Sequence, residues 1–213
     1  TDSPQPVSCV YEHGPSIREI TDALRSCVGV TEDQIDIVRS EHRNGNLHAH
    51  YQTLDPDTVY IDGVAETDFP NLHCDHSYYM TLRWNGLSWD PLDWSWMTVP
   101  TPRIPAGIYI TSGTTMAGRP WTTVVHVEYD NEYGYGDYPS FSVTEYVNGV
   151  AVVMDAVAEP VNHAMRGLDG AIFTLETYNG LTYVLVVDPN GLTWNGAPLR
   201  RSDSRSGGPD QTI

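Results

Sequence analysis

Four histidines in two short segments are the residues of this chain best suited to chemistry. His48 and His50 stand in Asn-Leu-His-Ala-His-Tyr, and His73 and His76 in Asn-Leu-His-Cys-Asp-His-Ser-Tyr. On a strand, His-X-His turns both imidazoles to one face, the way two ligands approach one metal. The second segment adds the Cys74 thiol and the Asp75 carboxylate. If the two segments pair, His48, His50, His73 and His76 can form a zinc or copper site. The competing reading is a surface strand with alternating histidines, since neither H-E-x-x-H nor C-x-x-C occurs. Acidic loops offer oxygen ligands for calcium at Asp55-Pro56-Asp57 and at Asp130-Asn131-Glu132 with Asp137. Neither has the fixed spacing of an EF-hand, and such residues ordinarily serve turns.

Signatures of covalent catalysis are missing. There is no G-x-S-x-G elbow and no glycine-rich phosphate loop. All 11 basic residues are arginine, so Schiff-base and lysine-clamp chemistry is excluded. Cys74 lies between His73 and His76, but neighbours on a strand point to opposite faces, so adjacency implies no Cys–His dyad. No spacing selects a pair of carboxylates for glycoside hydrolysis. The tryptophans give a further candidate. Trp84, Trp89, Trp94, Trp96 and Trp121, with Tyr78 and Tyr79, could stack on sugar rings of a surface glycan, or fill a core or a subunit interface, where indoles are enriched in any case.

The elements that must position these residues are mostly strands. Ser16-Ile17-Arg18-Glu19 reads as a capping box, and Ile17, Ile20, Leu24 and Val28 follow at helical spacing until Gly29. A second helix starting at Thr31 competes with a strand, because Ile35-Asp36-Ile37-Val38 alternates. Beyond it, Asn-Gly recurs at 44–45, 85–86, 148–149, 179–180, 190–191 and 195–196. Asn-Gly suits the two positive-φ positions of a type I′ hairpin turn. Phe141–Val147 and Val150–Val157 flank one pair, and Ala171–Tyr178 and Leu181–Asp188 another. Thr122–Tyr129 and Ile108–Thr111 are further strands. Strands at this spacing predict an antiparallel β-sandwich or barrel, mainly β with one short N-terminal helix. Residues 84–105 hold four of the tryptophans among Pro91, Pro100, Pro102 and Pro105, too many prolines for a central strand, and are expected to form a long ordered loop. Residues 129–139 form a second special loop.

The expected organisation is therefore an arm and helix over 1–34, a β-rich body over 35–200 and a polar tail over 201–213. The tail cannot bury enough apolar area to offset its own chain entropy, so a partner is expected to hold it. The 213 residues carry a formal charge of −17. That charge opposes binding to nucleic acid or to anionic lipid, and no apolar run is long enough to cross a bilayer as a helix. The missing lysine matches the codon bias of a GC-rich genome. Three cysteines, Cys9, Cys27 and Cys74, are too few for a disulfide framework. Together these features point to a non-enzymatic structural or surface component of a larger virion or extracellular assembly, phage capsid, tail or fibre-like. It would act through contacts with copies of itself or other subunits, without nucleic acid or membrane insertion. A metal-binding protein or metal-dependent enzyme and a carbohydrate-binding module are the alternatives.

Overall fold

A computed structural model describes residues 14–43, 50–129 and 138–202. His48, Cys9, the Asn44-Gly45 turn, the acidic loop at 130–137 and the tail from 203 lie outside the described residues. The chain divides into two compact units, one of residues 1–67 and 74–99, the other of 68–73 and 100–213. The strands that carry the boundary run through it without interruption.

The first unit begins with helix α1 (Ile17–Arg25) and helix α2 (Glu32–Arg43). Ser16 caps α1 as its sequence implies: its Oγ accepts from the Glu19 N–H at 3.2 Å, while Glu19 Oε1 accepts from the Ser16 N–H at 3.1 Å. The helix ends at the Ser26 cap, and Val28 lies beyond it, fully exposed. Residues 35–38 belong to α2, which resolves the helix-or-strand ambiguity. The deciding feature is a second capping box: Gln34 N–H donates to Thr31 Oγ1 at 3.2 Å, and Thr31 N–H to Gln34 Oε1 at 3.0 Å. This pair closes the first helical turn before the alternation at 35–38 can act.

Strands β1 (His50–Asp55), β2 (Thr58–Phe69), β3 (Leu72–Trp84) and β4 (Trp89–Pro102) form a sheet in that order. Ile20, Ala23, Leu24, Ile35 and Val38 of the helices pack with Val59, Ile61, Tyr78, Met80, Leu82 and Trp89 of the sheet. Gly63 is required here, because a Cβ at this position would lie 2.5 Å from the Tyr78 hydroxyl oxygen. The stretch expected as a loop over 84–105 is mostly β4. Its prolines are accommodated because β4 is the last strand of the sheet, where a missing N–H costs no ladder bond on the outer side.

The second unit is a closed eight-stranded antiparallel barrel: β5 (Gly107–Thr114), β6 (Pro120–Tyr129), β7 (Pro139–Val147), β8 (Val150–Met165), β9 (Ala171–Thr177), β10 (Thr182–Asp188), β11 (Gly191–Trp194) and β12 (Ala197–Arg201). Each strand pairs with the next in sequence, so the barrel is an up-and-down meander. It is mainly β, as the hairpin pattern predicts. The seam between β12 and β5 rests on Arg200↔Ile110 and Arg201↔Tyr109, with Ser202 N–H donating to Ile108 carbonyl at 2.7 Å. Arg201 thus belongs to the barrel and not to the tail. Its guanidinium also donates to the Ala106 carbonyl at 2.9 Å.

The Asn-Gly pairs act in different ways. Asn148-Gly149 and Asn195-Gly196 have positive φ at both positions, as a type I′ turn requires. At 85–88 and 178–181 only the glycine is left-handed. In the first of these loops, Asn85 Oδ1 accepts from the Leu87 and Ser88 N–H groups. At 190–191 neither residue has positive φ, because Asp188 pairs with Gly191 and the turn positions fall on Pro189 and Asn190. Proline fixes its own φ near −65° and excludes type I′ there.

Candidate functional site

Strand alternation separates the histidines of the second segment. Leu72, Cys74, His76, Tyr78, Met80 and Leu82 are buried along β3, while His73, Asp75, Ser77 and Tyr79 alternate with them on the partly open face. His76 is fully buried. Its Nε2 lies 2.7 Å from Thr67 Oγ1 and its Nδ1 2.9 Å from Thr98 Oγ1, and its ring is 5.0 Å from that of Trp96. Both nitrogens are thereby engaged by hydroxyls. His50 pairs through the backbone with Asp62 of β2. Strand β1, which begins at His50, is therefore not a neighbour of β3: β2 lies between them, a separation of about 10 Å from strand to strand.

His73 is placed differently. β2 and β3 are joined by the two-residue turn Pro70-Asn71, with Asn71 at φ 63°. Asp68 Oδ1 accepts from His73 Nδ1 at 2.7 Å, and Arg103 Nη1 is 3.1 Å from the same oxygen. The His73 hydrogen bond, with a further contribution from the Arg103 charge, holds the Asp68 carboxyl below the usual aspartate range. One donor atom each from Glu66, His73 and Asp75 lies within 4.8 Å of the others. His73 and Asp75 are half-buried and Glu66 is exposed. His73 and Asp75 stand in the histidine segment that the sequence singles out, whereas Glu66 and Asp68 lie outside it. The available signal was Glu-X-Asp and His-X-Asp flanking a Pro-Asn turn.

Four of the tryptophans gather in the first unit. Trp89 is part of the core cluster, and Trp84, Trp94 and Trp96 pack against it. Trp84 and Trp89 have ring centroids 5.5 Å apart, Trp94 and Trp96 6.0 Å, and Tyr78 stacks on Trp96 at 6.1 Å. Trp121 stands apart in the barrel, its ring over Gly113 on the neighbouring strand, where a Cβ would meet it at 2.7 Å. Asp55 accepts from the Asp57 N–H at 2.9 Å, which is turn chemistry at the β1–β2 connection. Cys27 is a half-buried free thiol, and Cys74 is buried in β3.

The barrel lumen is filled. Phe141, Phe173, Tyr183 and Trp194 are buried with Val125, Val127, Val143, Leu175, Leu185 and Val187. Trp194 lies 5.1 Å from Tyr183 and 6.3 Å from Phe141, centroid to centroid. Burial, reinforced by the charge of Glu145, pushes the Tyr183 hydroxyl up to about 12. Glu145 is itself raised by burial. The outer wall has a contrasting feature along β8. Val150, Val152, Met154, Val157 and Val161 are 51–73% exposed. Asp155 at φ 43°, its N–H donating to Thr144 Oγ1 at 3.1 Å, interrupts the alternation so that the outward positions pass from even to odd.

No family model, curated protein or solved structure matches this chain. The functional reading therefore rests on the residues themselves.

Proposed function

We propose that this protein is a non-enzymatic structural component of a larger assembly, of the virion or extracellular type, and that it joins a second copy of itself through the outer wall of its barrel. The observation that carries the reading is the β8 row of Val150, Val152, Met154, Val157 and Val161. Several exposed apolar side chains on one strand of a protein of such strong negative charge cost free energy until they are covered, and concentrations of this kind mark interaction surfaces. Because each of these side chains is only half to three-quarters exposed, its burial by a partner contributes about 1–2 kcal/mol, set against the entropy of association. The filled lumen supports the same view, since a barrel packed with Phe141, Phe173, Tyr183 and Trp194 is a rigid scaffold.

Light scattering coupled to size-exclusion chromatography tests this reading. The wild-type chain is expected to form oligomers whose population rises with concentration. Val152→Glu combined with Met154→Glu is expected to return it to a monomer with an unchanged circular dichroism spectrum. A wild-type chain that stays monomeric at its highest soluble concentration sinks the proposal. So does an oligomer indifferent to the two substitutions.

A further inference from the structure

The sheet of the first unit has a second face, and the assembly reading does not use it. Val59 and Ile61 of β2 and Tyr78, Met80 and Leu82 of β3 belong to the core shared with the helices. Strand alternation therefore turns Tyr60, Asp62 and Val64 of β2 and Ser77, Tyr79 and Thr81 of β3 to the opposite face. On β4, Trp94 and Trp96 pack against the core cluster, which puts the exposed Asp93 on the same side as these tyrosines. Tyr60 and Tyr79 meet there as a near-parallel pair, with ring centroids 5.8 Å apart and planes 23° from each other. We propose that this face recognises a guanidinium group, the arginine side chain of a basic protein segment, with the Tyr60–Tyr79 pair as the stacking surface and Asp93 as the charged partner.

Three features favour that ligand. First, the face of a tyrosine ring carries the negative part of its quadrupole, and two rings side by side offer a cation more of that surface than one. Second, carboxylates act on the pair. Burial raises the Tyr60 hydroxyl above its usual range, and Asp62, Tyr79 and Asp93 add to the rise. A cation over the ring is attracted by the same charges. Arg83, on the same face of β3, contributes its charge to the β1–β2 turn, where Asp55 is held low chiefly by the Asp57 N–H. Third, a guanidinium is planar and less strongly hydrated than an ammonium, so it stacks on a ring while its N–H groups meet a carboxylate. The formal charge of −17 also favours encounter with a basic partner over an acidic one.

Calorimetric titration of the full chain with a hexa-arginine peptide, at a physiological ionic strength of about 0.15 M, tests the site. Saturable binding is expected, about threefold or more tighter than that of hexa-lysine. Tyr60→Leu combined with Tyr79→Leu is expected to weaken it by about five- to tenfold. Tyr60→Phe keeps the ring and is expected to stay within about twofold of wild type. Asp93→Asn is expected to weaken binding by about two- to fivefold. Glu176→Gln removes the same charge from an exposed position on β9 and is expected to leave the affinity unchanged. Val152→Glu combined with Met154→Glu is expected to keep the dependence on the two tyrosines, so this inference and the assembly reading fail separately. Binding indifferent to the tyrosines or to Asp93→Asn, equal affinity for hexa-lysine, or no saturable binding would each overturn the assignment. Displacement of the peptide by the neutral disaccharide cellobiose would overturn it too, and would make the pair a sugar platform.

Discussion

The barrel of β5–β12 closes on itself and presents no free sheet edge, whereas the sheet of β1–β4 ends in two edge strands and, among the described residues, has helices on one face only. The same device, strands of alternating polarity, therefore has two consequences. In the barrel, every inward side chain must share a closed lumen with seven other strands, so fit is tightly constrained. In the sheet, α1 and α2 cover the face carrying Val59, Ile61, Met80 and Leu82. The opposite face, with Glu66, His73, Asp75 and the stacked pair Tyr60 and Tyr79, is left partly open. Closure gives rigidity and removes edges that could pair with other chains. An open face keeps polar side chains within reach of a ligand.

Truncating a ring in each unit puts the sharpest strain on this comparison. Trp194→Ala in the barrel is expected to cost about 3–5 kcal/mol, because the lumen cannot collapse onto the space left behind. Trp94→Ala on the sheet removes a half-buried ring at the border of its cluster and is expected to cost about 1–2 kcal/mol. Urea denaturation followed by circular dichroism measures both. Equal losses would show that the sheet is packed as exactingly as the barrel.

Glycine positions sharpen the contrast at the next level. Gly63→Ala is expected to cost about 1–3 kcal/mol, since Tyr78 is held between the sheet and Trp94 and Trp96 and cannot yield without disturbing them. Gly113→Ala meets Trp121 almost as closely, but that ring is half-buried and can move outward. The smaller loss is therefore expected in the barrel at this pair, the reverse of the tryptophan result. A double-mutant cycle joining Gly63→Ala with Tyr78→Ala checks the cause, because the steric part of the Gly63→Ala penalty should vanish when the ring is absent.

How much of this was legible in the sequence follows from the range over which each signal acts. The barrel hairpins were readable because a turn such as Asn148-Gly149 and its flanking alternation are local. The first capping box was equally local, at Ser16 and Glu19. Thr31 and Gln34 carried the same signal for α2, but the alternation at 35–38 competed with it. The stretch 84–105 is mostly strand and not the expected loop because proline's exclusion from strands depends on strand position: at an edge it loses nothing, and the sequence does not state which strand is the edge. The cluster of carboxylates around His73 was half visible. His73 and Asp75 share one segment, but Glu66 and Asp68 approach them from the partner strand, and a pairing register is a nonlocal property. His76 resembled His73 in sequence and differs because its three-residue offset turns it to the buried face, between Thr67 and Thr98.

The smallest effect concerns charge within the closed unit. Glu145 lies among the inward positions of β7, and burial raises its carboxyl above the ordinary value of about 4.3. The folded state therefore holds this proton more tightly than the unfolded chain does. The stability this contributes is fully present below about pH 4 and is lost as pH rises through the raised value. Glu145→Gln removes that dependence while keeping an oxygen that can accept from Tyr183. The variant is expected to match wild type near pH 4 and to exceed it at pH 7 by less than about 1 kcal/mol, since solvent reaches part of the side chain and screens the effect. Urea midpoints at the two pH values measure the difference. An advantage of equal size at both would place its origin in packing; a loss at pH 7 would mean that the charged carboxylate is worth more to the buried Tyr183 hydroxyl than its own desolvation costs.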